Sequence, residues 1–206
     1  MKMSRLLITG FFLITVSCIT VSIGHAAEPF YVDHFEKPVN LLGGRTSVYE
    51  QAPSRVAAST TDREFYGTAG KWLVIRYDKR NTGGPNDSGG WCGYYSILKA
   101  GQKYFDASPY TKLTFWVKGE NGEENFKVGL ADRHWEGVGD SVKSEAVTMY
   151  LKENKITKQW QKAEIPLDVF FIDMKEVASV SICFEPDCFP EGKGAGTIYI
   201  DEVAFE

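Results

Sequence analysis

Leu113, Phe115 and Val117 alternate with Thr114, Trp116 and Lys118, and Phe126, Val128 and Leu130 alternate with Lys127, Gly129 and Ala131. A period of two sends successive side chains to opposite faces of a strand, so each run reads as a strand with one apolar face. Gly119–Glu124 between them is rich in Gly, Asn and Glu and predicts a turn, which makes Asp106–Leu130 two antiparallel strands. Their outward set, Trp116, Lys118 and Lys127 with two small residues, predicts a groove floor. Strand-like runs recur near Tyr31–Phe35, Arg45–Glu50, Ser54–Ser59, Trp72–Asp78, Cys92–Leu98, Lys112–Lys118, Asn125–Ala131, Ala146–Leu151, Gln161–Ile165, Ser179–Phe184 and Thr197–Phe205. With one helical turn expected at Asp168–Phe171 and no sustained 3.6-residue period, the chain reads as all-β, a two-sheet antiparallel β-sandwich or jelly roll.

Lys2 and Arg5, the apolar run Leu6–Ile23 and the small residues of Gly24-His25-Ala26 predict a secretory signal peptide over residues 1–26, with 27–206 as a single domain. A retained anchor would call for a basic stop-transfer flank. A lipoprotein anchored at Cys18 would call for a better lipobox than Thr15-Val16-Ser17. Export to the periplasm or beyond is expected, with no membrane span after cleavage. Taking Lys2 and Arg5 from the 23 basic residues leaves 21 against 27 acidic ones, which argues against nucleic acid or an anionic membrane as partner. The exported cysteines are Cys92, Cys183 and Cys188, and the simplest arithmetic is one disulfide and one thiol. Cys183 and Cys188 would close a short loop, and Cys92 with either is equally permitted. No C-x-x-C is present, against zinc or thioredoxin-type chemistry.

Four blocks in order resemble one known superfamily. Val32-Asp33-His34-Phe35-Glu36 with Asn40-Leu41-Leu42-Gly43-Gly44 resembles the opening of family 11 carbohydrate-binding modules. The same opening occurs in the complex I intermediate-associated assembly factors. Asp106-Ala107-Ser108-Pro109-Tyr110 with Leu113–Gly119, then Trp160–Leu167, then Gly196–Val203 resemble the blocks that follow. The resemblance implies a galactose-binding-like jelly roll with a concave face and a structural Ca²⁺ tying the chain ends. Asp33, Glu36 and Asp201 occupy the matching positions, and backbone carbonyls would supply much of the shell. The alternative is that Asp33 and Asp201 are ordinary exposed strand carboxylates.

Sugars are held by aromatic rings on pyranose faces and by planar polar groups on hydroxyl pairs. Opposite the core, the candidates are Arg76, Trp116 and Glu185, with Asp132, Arg133 and Trp135 as a rim. Tyr94 and Tyr95 are consecutive, so one faces the core and the other the ligand side. Trp116 reads equally as a covered second layer, and Arg76 with Glu185 as a solvated cross-strand pair. Trp72 and Trp160 are assigned to packing. The irregular stretch Asn81–Gly90 is either a functional loop or a plain connection. His34 and His134 lack a metalloprotease motif, Asp87-Ser88-Gly89-Gly90 lacks the partners of a serine protease, and no glycosidase carboxylate strand appears. The expectation is an exported, non-catalytic module binding a β-glucan-like polysaccharide or oligosaccharide. An assembly partner of an envelope protein complex is the alternative, and a small glycoside hydrolase ranks behind both.

Overall fold

The computed structural model describes residues 27–65, 68–84 and 87–206, so the expected signal peptide and Cys18 lie outside the described residues. Eleven strands form: β1 (Phe30–Asp33), β2 (Thr46–Glu50), β3 (Arg55–Phe65), β4 (Thr68–Arg80), β5 (Cys92–Ile97), β6 (Lys112–Gly119), β7 (Lys127–Asp132), β8 (Val142–Ala146), β9 (Gln161–Pro166), β10 (Val177–Cys183) and β11 (Lys193–Phe205). The first sheet runs β3-β4-β11-β6-β9, with β1 also on β11; the second runs β2-β5-β10-β7-β8. Pairing is antiparallel throughout. The inner faces meet in one apolar core, as in other sandwiches. Phe184 from the end of the second sheet stacks on Tyr77 of the first with ring centroids 3.9 Å apart.

The expected hairpin at Asp106–Leu130 does not form. β6 lies between β11 and β9 in the first sheet, and β7 between β10 and β8 in the second. The turn-like residues after Gly119 are a crossover between sheets. The buried Glu124 carboxylate holds that crossover, accepting from the backbone N–H groups of Asn121, Gly122 and Glu123 at 2.7, 2.8 and 3.0 Å. Both apolar faces do point inward, so the outward faces point in opposite directions. Trp116 and Lys118 leave the first sheet and Lys127 leaves the second, and the three cannot line one groove. Alternation sets faces within a strand but not the sheet to which a strand belongs.

Two other expectations shift. No strand forms over most of Ala146–Leu151: β8 ends at Ala146, and Val147–Tyr150 is a 3-10 turn. A six-residue helix, α1 (Arg133–Val138), follows β7; Asp132 caps its start, and Gly139 ends it in the left-handed conformation at φ 81°. Six residues are too few to show a helical period.

Cys92, Cys183 and Cys188 are all buried thiols, so no disulfide forms among the described residues. Cys92 joins the core while Cys183 follows Ile182 onto the opposite face of the second sheet. That sheet separates the pair nearest in register, where Cys183 lies opposite Gly93. Cys188 turns back into the core and away from Cys183.

Candidate functional site

The outer face of the second sheet is built from cross-strand rows. One row runs Tyr49–Gly93–Cys183–Lys127 across β2, β5, β10 and β7. The next runs Ser47–Tyr95–Ser181–Gly129–Lys143 and reaches β8. A third carries Ile97, Ser179 and Ala131. The small residues of β7 and β10 leave a trough of about 600 Å³. Tyr49, Trp91 and Tyr95 form its aromatic side, and Glu136, Asp140, Lys143 and Glu185 form its polar side. Ser179 and Ser181 line the floor between them.

The aromatic side is held from several directions. The rings of Tyr49 and Trp91 lie 5.8 Å apart at 42°. Trp91 is 52% exposed, a large apolar surface left open at the trough edge. Its backbone carbonyl accepts from the Gln51 N–H at 2.8 Å, which ties it to β2. Just before it, the buried Lys79 ammonium donates to the Gly90 carbonyl at 2.6 Å. Asn81 donates to the carbonyls of Pro186 and Phe189, both at 3.0 Å, so the loop bearing Trp91 is clamped to the segment bearing Glu185. Arg45 reaches the Tyr95 hydroxyl at 2.7 Å and lies 5.8 Å from its ring centre.

The polar side is a set of paired charges. Lys143 contacts Asp140 at 2.7 Å and Glu185 at 3.8 Å. Lys99 contacts Glu136 at 2.6 Å, and the Tyr104 hydroxyl donates to the same carboxylate at 2.9 Å. The hydrogen bond from Lys99 outweighs partial burial and holds the Glu136 carboxyl below its ordinary value. At Asp140 burial pulls upward, but Lys143 and the Ser141 N–H prevail and keep the carboxyl low. Both groups are therefore carboxylates that accept hydrogen bonds at neutral pH.

The expected site residues are divided among several places. Tyr95 and Glu185 line the trough, so the exposed member of the tyrosine pair is Tyr95. Tyr94 points inward and is 6% exposed, part of the core. Asp132 is the helix cap: its carboxylate accepts from the N–H groups of Trp135 at 3.0 Å and Asp173 at 2.8 Å. Burial opposes that charge and the backbone donors override it, so the carboxyl sits below its ordinary value. Trp135 lies on α1 with its ring against His134 at 5.5 Å, and α1 supplies Glu136 to the trough wall. Arg133 is exposed and pairs with Glu176 at 3.6 Å. Arg76 and Trp116 leave the other sheet, remote from this trough, so Arg76 and Glu185 do not pair.

On that first sheet, Trp72 and Val74 point away from the core and are nonetheless 3% exposed. Trp72 meets Trp160 edge-on at 5.5 Å, and Lys118 lies 4.8–5.2 Å from the centres of Trp72, Trp160 and Tyr199. Trp72 is buried, as its assignment to packing expects, while Trp160 beside it is half-buried. Sequence reasoning passed over Tyr49, Trp91 and Lys143. Signals existed for two of them: Tyr49 alternates with Val48 in an expected strand, and Trp91 directly follows the irregular stretch Asn81–Gly90.

Asp33 and Asp201 meet where β1 pairs with β11, at a bulge in both ladders flanking β11. They are 3% and 6% exposed, not surface carboxylates. Burial raises the Asp33 carboxyl to about 6, against a hydrogen bond from the Phe35 N–H. Burial, with the neighbouring charges of Glu202, Glu36 and Asp33, raises Asp201 to about 7. No lysine or arginine pairs with either among the described residues. Glu36 accepts from the Lys71 N–H at 2.7 Å. These oxygens suit a hard cation in kind. No three acidic, imidazole or thiol side chains gather at one point among the described residues, so a cation here would take most of its shell from backbone carbonyls.

The family model described as "Carbohydrate binding domain 30" matches residues 46–206. No curated protein sequence matches the chain. Three solved structures from Clostridium thermocellum share the fold. A family 11 carbohydrate-binding module of a cellulosomal cellulase is 17% identical, with a TM-score of 0.62, covering 88% of this chain and 95% of that one. The same family's module in complex with a β-1,3-1,4-mixed-linked tetrasaccharide is 17% identical, with a TM-score of 0.61 over 86% and 94%. A family 30 module of a cellulosomal cellulase is 19% identical, with a TM-score of 0.59 over 87% and 98%.

Proposed function

The chain belongs to the carbohydrate binding domain 30 family, and from that premise we propose that its second-sheet trough holds a β-glucan chain without cleaving it. The observation that carries this reading is the trough itself: three aromatic rings opposite a row of paired charges, over a floor of serines and glycine. Rings in that position stack on the apolar faces of β-linked pyranoses. Carboxylates and an ammonium on the other side answer hydroxyl pairs. Five strands about 4.8 Å apart give the sheet a width of about 19 Å, room for roughly four β-linked sugar units. The structurally similar family 11 module is described with a mixed-linked tetrasaccharide, which supports a ligand of that length and linkage.

Catalysis has no support in the groove. A glycosidase acid needs a carboxyl raised toward neutrality. Glu136 and Asp140 are both held low by lysines. We place the protein outside the cytoplasm on the expected signal peptide, and we assign a Ca²⁺ to Asp33 and Asp201 with backbone oxygens completing the shell. The ion would neutralise two buried acids and pin the chain ends together.

Calorimetry with a mixed-linked β-glucan tetrasaccharide tests the reading. We expect Trp91→Ala and Tyr95→Ala each to weaken binding about 10- to 100-fold with melting temperature little changed. Reducing-sugar release should stay at background. Wild-type protein that ignores glucans yet retains an envelope protein in a pull-down insensitive to sugar would move the assignment to an assembly partner.

A further inference from the structure

Cys183 belongs to the groove face of β10 and yet is 1% exposed. The cause is Tyr49. Tyr49, Gly93 and Cys183 share one cross-strand row, with Gly93 in the middle. A Cβ at Gly93 would collide with the Tyr49 hydroxyl and ring, so the ring lies over that bare glycine. Over Gly93, the Tyr49 hydroxyl points along the row toward the Cys183 thiol and interacts with it. The thiol in turn lies 3.3 Å from the Ser181 hydroxyl, which donates to the Gly129 carbonyl at 3.3 Å. Ser141 extends the series, its hydroxyl 3.5 Å from that of Ser181. A row of hydroxyls and one thiol thus runs beneath the groove from β2 to the start of β8.

We infer that Cys183 is a positioning residue of the groove: its thiol fixes the Tyr49 hydroxyl and thereby holds the ring flat for a sugar to stack on. The inference rests on the groove being the sugar site. Burial keeps the sulfur a neutral thiol, so Tyr49 has a partner without a charge being placed under the apolar ring. Removing the thiol takes a partner from the hydroxyl of the half-buried Tyr49, which then gains by turning toward water. Trp91 leans on Tyr49, so a loosened Tyr49 also loosens the exposed edge of the aromatic side.

Two arms test this. In calorimetry with the mixed-linked tetrasaccharide, Cys183→Ala and Tyr49→Phe should each weaken binding about three- to tenfold, the worth of one neutral hydrogen bond. Cys183→Ser should bind as wild type does. The double variant should be no weaker than either single one, because both break the same contact. Multiplying losses, an unaffected Cys183→Ala, or a serine variant as weak as the alanine would each overturn the inference. The second arm needs no sugar. Under native conditions a maleimide should leave Cys183 unmodified in wild type and label it in Tyr49→Ala, as read by peptide mass. A Cys183 equally inert in both proteins overturns the inference. Wild type that binds no tetrasaccharide overturns the groove reading, while the labelling arm still decides whether Tyr49 seals the thiol.

Discussion

Asn40 shows how much one buried side chain organises next to the groove. It is 3% exposed. Its amide donates to the Ser96 hydroxyl at 2.8 Å and the Ile97 carbonyl at 2.6 Å, and its oxygen accepts from the N–H groups of Leu42 and Gly44 at 3.0 and 2.8 Å. It therefore fastens the loop between β1 and β2 to β5, the strand that carries Tyr95. Asn40→Ala should destabilise by about 2–4 kcal/mol, since several buried partners lose their bonds at once. Urea unfolding measures the loss, and a change below about 1 kcal/mol would show that water replaces the amide. At this scale the sequence was informative by halves. Alternation required Tyr94 and Tyr95 to face opposite ways, but only the register of β5 against β2 and β10 decides that Tyr95 takes the groove. Asn40 stood inside a recognisable block, while its partners Ser96 and Ile97 lie more than fifty residues away and leave no local sign.

At the scale of elements, strand positions were legible because each apolar face has to be buried somewhere. Partnership was not. β6 and β7 carry complementary patterns and a turn-like link, and still they enter different sheets. The crossover is held by Glu124, a residue that composition classes as surface. Trp116 therefore leaves the first sheet, on the face away from the trough. Floor depth is an element property as well. A Cβ at Gly129 would collide with the Ser141 and Ser181 hydroxyls, so β7 must be bare there for β8 and β10 to close around it. Gly129→Ala should weaken glucan binding by about tenfold or more through a raised and displaced floor. Comparing its Kd with that of Gly137→Ala, a glycine of α1 with open space around it, separates the groove effect from a general one.

For the whole molecule, the junction of the first and last strands sets the response to pH and, on the proposed Ca²⁺ assignment, to metal. Asp33 and Asp201 titrate near 6 and 7 in the fold, against about 4 when unfolded. Their raised values favour the protonated fold. In metal-free protein that stabilisation is full below about pH 4 and is lost as pH rises through 6 to 7. Chelated protein should therefore melt at a lower temperature at pH 8 than at pH 5. Added Ca²⁺ should reverse the order, because the ion binds only the ionised pair. Asp201→Asn should remove the response to Ca²⁺ and only the Asp201 share of the pH slope, because Asp33 stays buried and raised. An identical melt with chelator and with Ca²⁺ at pH 8 would sink the metal assignment.

The strand order of the second sheet also has a consequence for when, along the growing chain, the trough can exist. Tyr49, Trp91 and Tyr95 are all synthesised in the first half, on β2 and β5 or beside them. The strand they must lie against is β10, which ends at Cys183. Pairings so distant in sequence close late, because the intervening chain has to be ordered first. A polypeptide halted before Val177 carries all three rings and no floor under them. The trough therefore arrives with the closing strands, and a chain passing unfolded through a membrane would complete it only after nearly all of its length had crossed.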